Sequence, residues 1–388
     1  NISYKATIRD IFGSTSVTAV MDLPSNIQNL VNNMPLNSRY TEEYLIKSHT
    51  LFPFYSAFLP PERAKRIFES MKGDNGGSIY SRTGIMASSI TLNQHFKFCP
   101  VCAKEEKLQY GELYWHRVHQ IPGVLVCPKH YVPLYNSQVP VRGYNKHEYK
   151  AAGEEDCVQP DIVINYSDDV FEKLIILAED AQVLLNSDFE KRNIEWYKEQ
   201  YLAKMMEMGF ATANGKVHQK EFIKEFIHYY GEEFLDMVQS RIDVDADSNW
   251  LMDMLRKKNK TNHPIRHLLL SRFLGISLSD LFHKKMEYKP FGDGPWPCLN
   301  AAADHYLKPV VSDLKVSYST DLKCPVGTFS CTCGFVYTRS GPDESEDARY
   351  RFGRIKRFRQ VWEERLKKLV NQKLSLRETA RLLGVDPN

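Results

Sequence analysis

The sequence lacks any apolar run of the roughly 18 residues that a membrane-spanning helix requires, and it shows no signal peptide. It also lacks a glycine-rich phosphate loop and a group of carboxylates tied to its cysteines. Catalytic zinc needs an open coordination position, usually filled by water, and no such position is indicated. These absences argue against a membrane protein, a hydrolase and a nuclease, so we expect no enzymatic activity.

Cysteine is scarce, with eight residues among 388, but its placement is informative. A disulfide scaffold is not expected in so large a chain, whereas short-spaced cysteine groups are typical of metal binding in a reducing cytosol. The length exceeds what one compact core accommodates, so two or three domains are expected.

The first group of candidate ligands consists of a C-x2-C pair and a C-x2-H pair, Cys99, Cys102, Cys127 and His130. Each short turn brings two soft or imidazole ligands to one point, and the intervening loop lets the two turns face each other. The pattern predicts a closed, structural zinc site in a module of about residues 96–135. The alternatives are buried reduced thiols, or a site in which His116 or His119 competes as a ligand.

The second group of candidate ligands consists of a C-x6-H pair and a C-x-C pair, Cys298, His305, Cys331 and Cys333. Gly334 follows the second pair, where it relieves the backbone as the chain turns around the metal. C-x-C is less diagnostic than C-x2-C, and Cys324 is a competing ligand that would displace His305 or Cys298. Together the two groups predict two zinc ions per chain.

The net charge of +3 conceals a strong asymmetry along the chain. Residues 151–190 carry eleven acids and one base, whereas residues 250–272 carry six bases and one acid, and residues 346–388 carry twelve bases and six acids. Separated basic stretches are typical of a protein that follows a phosphate backbone, although solvated helix faces are the alternative. The candidate DNA contacts are Arg256, Lys257, Lys258, Lys260, Arg266, Arg272, Arg339, Arg351, Arg354, Lys356, Arg357, Arg359, Arg377 and Arg381.

Apolar periodicity predicts a mainly α-helical, multi-domain chain with small zinc-stabilised β elements and helix-turn-helix-type DNA-binding modules. The segment Thr328–Arg339 is β-prone. The predicted helices are Glu62–Met71, Val170–Leu185, Phe189–Met208, 219–228, 231–240, 249–258, 264–273, 278–284 and Arg354–Lys373. The expected regions are an N-terminal region at 1–150, a helical DNA-binding region at 151–290, the second zinc module at 291–345, and a basic helix with the start of a helix-turn-helix at 346–388.

The end of the chain carries the helix-turn-helix signal. Ser375 and Glu378 have the spacing of a capping box, Ala380 allows close helix packing, and Gly384 suits the turn. A recognition helix would begin about where the sequence ends, at Asn388.

Several motifs together resemble the TnsD/TniQ family of bacterial transposon target-selector proteins, and the TnsD branch in particular. The motifs are Lys47-Ser-His-Thr-Leu-Phe-Pro-Phe-Tyr, Phe98-Cys-Pro-Val-Cys, Tyr110-Gly-Glu-Leu-Tyr-Trp-His-Arg, Val126-Cys-Pro-Lys-His, His263-Pro-Ile-Arg-His-Leu-Leu-Leu, Pro297-Cys-Leu-Asn-Ala-Ala-Ala-Asp-His-Tyr, Pro325-Val-Gly-Thr-Phe-Ser-Cys-Thr-Cys-Gly and Ser375-Leu-Arg-Glu-Thr-Ala-Arg-Leu-Leu-Gly-Val.

The resemblance implies a non-enzymatic adaptor in the bacterial cytoplasm, associated with the nucleoid. Such proteins bind an attachment site on double-stranded chromosomal DNA and recruit the AAA+ ATPase TnsC, which brings the transposase. The resemblance favours Cys298, His305, Cys331 and Cys333 over Cys324 as ligands. One departure is that the Pro- and Tyr-rich opening segment of the family is not in this sequence, so no ATPase contact is assigned there. A helix-turn-helix transcription regulator with zinc is the alternative function.

Overall fold

The computed structural model describes residues 3–161, 163–244, 246, 248–256, 260–322 and 324–386. The predicted DNA contacts Lys257 and Lys258 lie outside the described residues. Among the helices in these ranges, none is long and apolar enough to cross a membrane.

The described part of the chain is mainly helical. Its α-helices are α1 (Tyr4–Phe12), α2 (Ile27–Asn32), α3 (Glu42–His49), α4 (Phe52–Ser56), α5 (Pro61–Lys72), α6 (Ile79–Thr83), α7 (Pro100–Tyr110), α8 (Asp168–Asn186), α9 (Ile194–Glu207), α10 (Gln219–Tyr230), α11 (Glu232–Met237), α12 (Trp250–Arg256), α13 (Pro264–Phe273), α14 (Leu278–His283), α15 (Arg359–Asn371) and α16 (Leu376–Leu383).

The strands form small antiparallel sheets, with the pairings β1–β2, β3–β4 and β5–β6–β7–β8. They are β1 (His95–Phe98), β2 (Tyr135–Pro140), β3 (Trp296–Pro297), β4 (Pro309–Val311), β5 (Asp313–Ser319), β6 (Cys324–Ser330), β7 (Val336–Ser340) and β8 (Arg354–Arg357). The prediction of a mainly α chain with small β elements is confirmed.

The chain divides into two compact units. The first unit comprises residues 1–201 and 220–285, and the second comprises residues 202–219 and 286–388. The β1–β2 sheet and most helices belong to the first unit, and the other two sheets belong to the second with α15 and α16.

The helices predicted from apolar periodicity between residues 62 and 284 are confirmed, with ends that differ by a few residues, except that the predicted end at residue 258 lies outside the described residues. The predicted helix Arg354–Lys373 is wrong at its start, because Arg354–Arg357 is strand β8 and the helix begins at Arg359. Pairing with β7 explains the difference. In this pairing Ile355 of β8 lies opposite Tyr337 and packs against the apolar core of the second unit.

In the first unit, α13 lies in the core and its two histidines are packed on aromatic rings. His263 is the N-cap residue, and its side chain accepts a hydrogen bond from Ile265 N. The ring of His267 stacks on Phe58 with centroids 4.0 Å apart and is hydrogen-bonded to Tyr201 Oη at 2.9 Å. The His-Pro-Ile-Arg-His motif therefore forms core structure.

The predicted DNA contact at Arg266 is contradicted by the same packing. Arg266 is only 7% exposed, its guanidinium lies 5.0 Å from the ring centroid of Trp250, and its side chain donates a hydrogen bond to Ser89 Oγ. A side chain held inside the first unit presents no charge to a phosphate.

In the second unit, successive residues of the β5–β8 sheet form two rows across all four strands. One row is the apolar set Leu314, Phe329, Tyr337 and Ile355, which belongs to the core of the unit. The next row is Lys315, Thr328, Thr338 and Arg354. Because side chains alternate between the faces of a strand, this second row lies on the outer face.

Burial of the two α13 histidines predicts that the stability of the first unit falls in acid. Burial lowers the pKa of both His263 and His267 to about 3. An unfolded histidine titrates near about 6.5, so stability is present above that pH and is lost as the pH falls towards 3. Each histidine contributes a slope of about 1.4 kcal/mol per pH unit within this window.

Denaturant titrations of wild type and the His267→Gln variant between about pH 7 and pH 5 measure the effect. The variant should show the flatter dependence of unfolding free energy on pH. His283→Gln, at an exposed histidine of α14, is the matched control and should behave as wild type. Equal slopes for all three proteins would contradict the assignment.

Candidate metal centres

The first cluster forms where the β1–β2 sheet brings two short turns together. Cys99 follows β1 directly and is the N-cap of α7, and its Sγ accepts a hydrogen bond from Cys102 N at 3.5 Å. The partial positive charge of a helix N-terminus favours a thiolate there. Cys127 and His130 lie in a turn closed by the hydrogen bond from Tyr131 N to Cys127 O at 2.8 Å.

The four predicted ligand atoms of the first cluster converge. Nδ1 of His130 lies 3.5, 3.3 and 3.8 Å from Sγ of Cys99, Cys102 and Cys127, and the Cys102 and Cys127 sulfurs are 3.8 Å apart. Tetrahedral zinc with ordinary bond lengths gives about 3.8 Å between sulfurs and about 3.5 Å between sulfur and nitrogen. The separations fit a zinc ion, and they are far longer than the roughly 2.05 Å of a disulfide.

The two competing histidines lie beside this set. His116 Nε2 contacts the buried carboxylate of Glu106, and these two residues form a neighbouring ligand group with Cys102. His119 is buried against the ring of His116. Of these two neighbouring groups, the one formed by Cys99, Cys102, Cys127 and His130 has four ligands, and the other has three.

Glu105 was not singled out from the sequence, yet its carboxylate lies beside the nitrogen of the His130 ring that faces away from the cysteine sulfurs. Glu105 Oε1 lies 3.1 Å from His130 Nε2, a distance suited to an ion pair although its angle is not that of a hydrogen bond. A carboxylate in this position orients a metal-binding imidazole. The signal in the sequence is the placement of Glu105 one helical turn after Cys102.

The thiols of the first cluster cannot all ionise without a cation. The adjoining Cys127 and Cys99 sulfurs raise the pKa of Cys102 far above its ordinary value, and burial acts in the same direction. Hydrogen bonds from Cys102 and Cys99 lower the pKa of Cys127 instead. A bound metal cation would stabilise all the thiolates together, because ligand deprotonation and metal binding are coupled.

The second cluster joins a hairpin to a loop within the second unit. Cys331 and Cys333 lie in the turn between β6 and β7, which is closed by the hydrogen bond from Gly334 N to Cys331 O at 2.9 Å. Gly334 has φ +87°, a conformation that glycine adopts without strain, as predicted. Cys298 lies at the end of β3, and its amide donates to Lys308 O at 3.0 Å.

The ligand atoms of the second cluster also match the tetrahedral separations. The sulfurs of Cys298 and Cys333 are 3.8 Å apart, and Cys331 Sγ lies 3.4 Å from His305 Nε2. The group of Cys298, His305, Cys331 and Cys333 has all its ligand atoms within 4.8 Å of one another. The competing Cys324 is not in this group and lies in β6 opposite Ser319.

Asn300, which sequence reasoning missed, tunes one thiol of the second cluster. Its side-chain amide donates a hydrogen bond to Cys333 Sγ at 3.5 Å. Burial opposes ionisation of Cys333, but hydrogen bonds from Asn300 and other neighbours outweigh it and lower the pKa of the thiol to about 7. An amide two residues after Cys298 is the only sequence signal for this role.

The predicted DNA contacts of the first unit are mostly engaged within the protein. Lys260 pairs with Asp253 at 2.7 Å, and Arg272 makes a two-pronged contact with Asp180. Arg256 is exposed at the end of α12. Two of the predicted cations of this stretch, Lys260 and Arg272, are thus neutralised by carboxylates nearby.

The predicted contacts of the second unit differ in exposure. Arg339 is only 3% exposed, pairs with Asp343 at 2.8 Å and lies over the ring of Phe329, so burial contradicts a phosphate contact there. The remaining predicted cations are exposed, namely Arg351, Arg354, Lys356, Arg357, Arg359, Arg377 and Arg381.

Two family profiles and one curated protein match this sequence. The profile described as Tn7-like transposition protein D matches residues 177–388, and the TniQ profile matches residues 1–134. The transposon Tn7 transposition protein TnsD of Escherichia coli is 23% identical over 273 residues, which cover 69% of this chain and 52% of that protein. The chain therefore spans about half the length of this curated relative.

Convergence of the first ligand set predicts that Cys99→Ser weakens metal binding at that cluster alone. We expect the variant to lose about one metal ion per chain, since three ligands bind a structural zinc poorly. Elemental analysis of the purified protein measures the loss, and limited proteolysis should show faster cleavage around residues 96–135. Cys157→Ser is the control, because Cys157 lies outside both clusters. Unchanged metal content in Cys99→Ser would contradict the assignment.

Proposed function

This chain belongs to the family of Tn7-like transposition protein D, and from that membership we propose that it is a sequence-specific DNA-binding protein that selects the target site of a Tn7-like transposon. Double-stranded DNA carrying a chromosomal attachment site would be its ligand. The matched TniQ profile over residues 1–134 supports the same role.

The observation that carries the proposal is the set of exposed cations near the end of the second unit. Arg351, Arg359, Arg377 and Arg381 are exposed, and no carboxylate of the described residues lies within ion-pair distance of them. Cations without internal partners attract the phosphates of DNA, and their binding releases the counterions that were condensed on the DNA. The contrast with the paired Arg272 of the first unit favours the second unit as the DNA-binding part.

We also propose that α15 and α16 begin a helix-turn-helix module. Ser375 Oγ accepts a hydrogen bond from Glu378 N at 3.3 Å, which caps α16. Ala380 is buried, and Gly384 ends the helix with φ +66°. A Cβ at Gly384 would lie 3.2 Å from Ala301 Cβ, so this turn packs closely against the loop of the second metal cluster.

Each metal cluster is proposed to hold one zinc ion in a structural role. The ligands would be Cys99, Cys102, Cys127 and His130 in the first cluster, and Cys298, His305, Cys331 and Cys333 in the second. Zinc bound by four protein ligands supplies folding energy and leaves no position for a reacting water. The proposed protein is accordingly an adaptor without catalytic activity.

A AAA+ ATPase of the TnsC type is the proposed protein partner, and through it the transposase. Affinity capture of the purified ATPase by the full chain tests this part. Capture would favour a transposition adaptor, whereas attachment-site binding without capture would favour a transcription regulator.

Loss of the Arg377 side chain should weaken attachment-site binding without unfolding the protein. Arg377 is exposed on α16, so Arg377→Ala removes charge with little loss of packing. We expect a decrease in affinity of about five- to tenfold, as is usual for one DNA contact. Footprinting with a duplex that spans the insertion site of the transposon measures both position and affinity.

Lys289→Ala is the matched control, because Lys289 is an exposed cation of the same unit that is paired with Asp293 at 2.6 Å. It should bind as tightly as wild type. Wild-type protection that ignores the sequence of the duplex would refute the proposed function.

A further inference from the structure

We propose that the outer face of the β5–β8 sheet is a DNA-backbone-binding surface, with Lys315 on one edge strand and Arg354, Lys356 and Arg357 on the other. This inference rests on the proposed function and assigns the phosphate contacts to a sheet face. Lys315 was not among the residues predicted from the sequence.

Strand register places the cations of both edges on the same face. Lys315 lies opposite Thr328, Thr328 opposite Thr338, and Thr338 opposite Arg354. The row therefore runs from a cation through two hydroxyl side chains to a second cation. Cations are side-chain groups that commonly contact phosphate oxygens in protein–DNA complexes. Thr338 is buried and donates its hydroxyl to Arg354 O at 3.1 Å, so the cations at the two edges carry the proposed contacts.

An irregularity in β8 adds two more cations to this face. The register shifts where Val336 pairs with Arg357 and Tyr337 pairs with Ile355, so Lys356 is the extra residue of a bulge. Lys356 Nζ donates a hydrogen bond to Thr328 Oγ1 at 3.4 Å. Since β7 lies between β6 and β8, the Lys356 side chain crosses Thr338 on the outer face to reach it.

In the part of the chain that the structure describes, these cations do not form ion pairs with carboxylates. Lys315, Arg354, Lys356 and Arg357 are all exposed, and within the described ranges none has a carboxylate in ion-pair distance. One acid shares the face, because Asp313 lies two residues before Lys315 on β5 and opposite Ser330. The face therefore carries a net positive charge.

The width of the row suits a DNA groove. Four strands spaced about 4.8 Å apart separate Lys315 from Arg354 by about 14 Å between backbones. This span is close to the roughly 12 Å width of the major groove. Long flexible side chains at both edges can therefore contact phosphates on the two sides of one groove.

The salt dependence of DNA binding by the chain, measured for wild type and for the variant Lys315→Ala, tests the surface. The probes are a short duplex of arbitrary sequence and a duplex that spans the transposon insertion site. We expect binding to both to weaken by the same factor, about three- to tenfold, and the slope of log K against log salt to decrease by about 0.9. Lys315→Arg should restore binding, and Asp313→Asn should strengthen it.

Lys289→Ala again serves as the control and should match wild type. The inference is overturned if Lys315→Ala keeps the wild-type slope, or if it weakens only the insertion-site duplex. If Lys315→Ala weakens both duplexes but wild type binds them equally well, the surface stands and the proposed target selection fails. If wild type prefers the insertion-site duplex and Lys315→Ala changes nothing, target selection stands and the surface fails.

Discussion

Convergence of two cysteine–histidine groups is the constraint on which the small sheets depend. In the first unit, the β1–β2 pair carries Cys99 at the end of one strand, and the turn that holds Cys127 leads into the other. In the second unit, Cys331 and Cys333 hold the β6–β7 turn against the loop that begins at Cys298. The β1–β2 pair alone is too small to be stable, so bonds to a metal ion would add to what fixes its geometry. In the second unit, such bonds would act together with the apolar core of the four-stranded sheet.

In the second unit, the position of the β6–β7 turn also bears on which side chains the sheet exposes. Fixing the β6–β7 turn fixes the register of the two central strands, with which β5 and β8 pair. Register then decides which residues face the apolar core, such as Phe329, and which face outward, such as Lys315. A slip of one residue would exchange the two faces. The proposed metal binding and the proposed DNA contacts would thereby be linked within one unit.

Local patterns in the sequence predicted local features well. The ligand spacing identified both groups of candidate ligands that the structure brings together, and apolar periodicity identified helices such as α8 and α10, because both signals depend on residues close in the chain. Charge runs were less reliable. Arg266 and Arg339 were assigned to DNA, but tertiary packing buries both, and strand pairing made Arg354–Arg357 a strand. Partners distant in sequence decide these outcomes, and a single sequence does not reveal them.

Hydrogen–deuterium exchange of the full chain, with and without a duplex that spans the attachment site, tests the central claim most directly. The claim is that the second unit binds DNA through its sheet face and its terminal helices. The account predicts slower exchange in β5, β8 and α16 when the duplex is bound. Slower exchange confined to residues 1–201, with β5 and β8 unchanged, would contradict it.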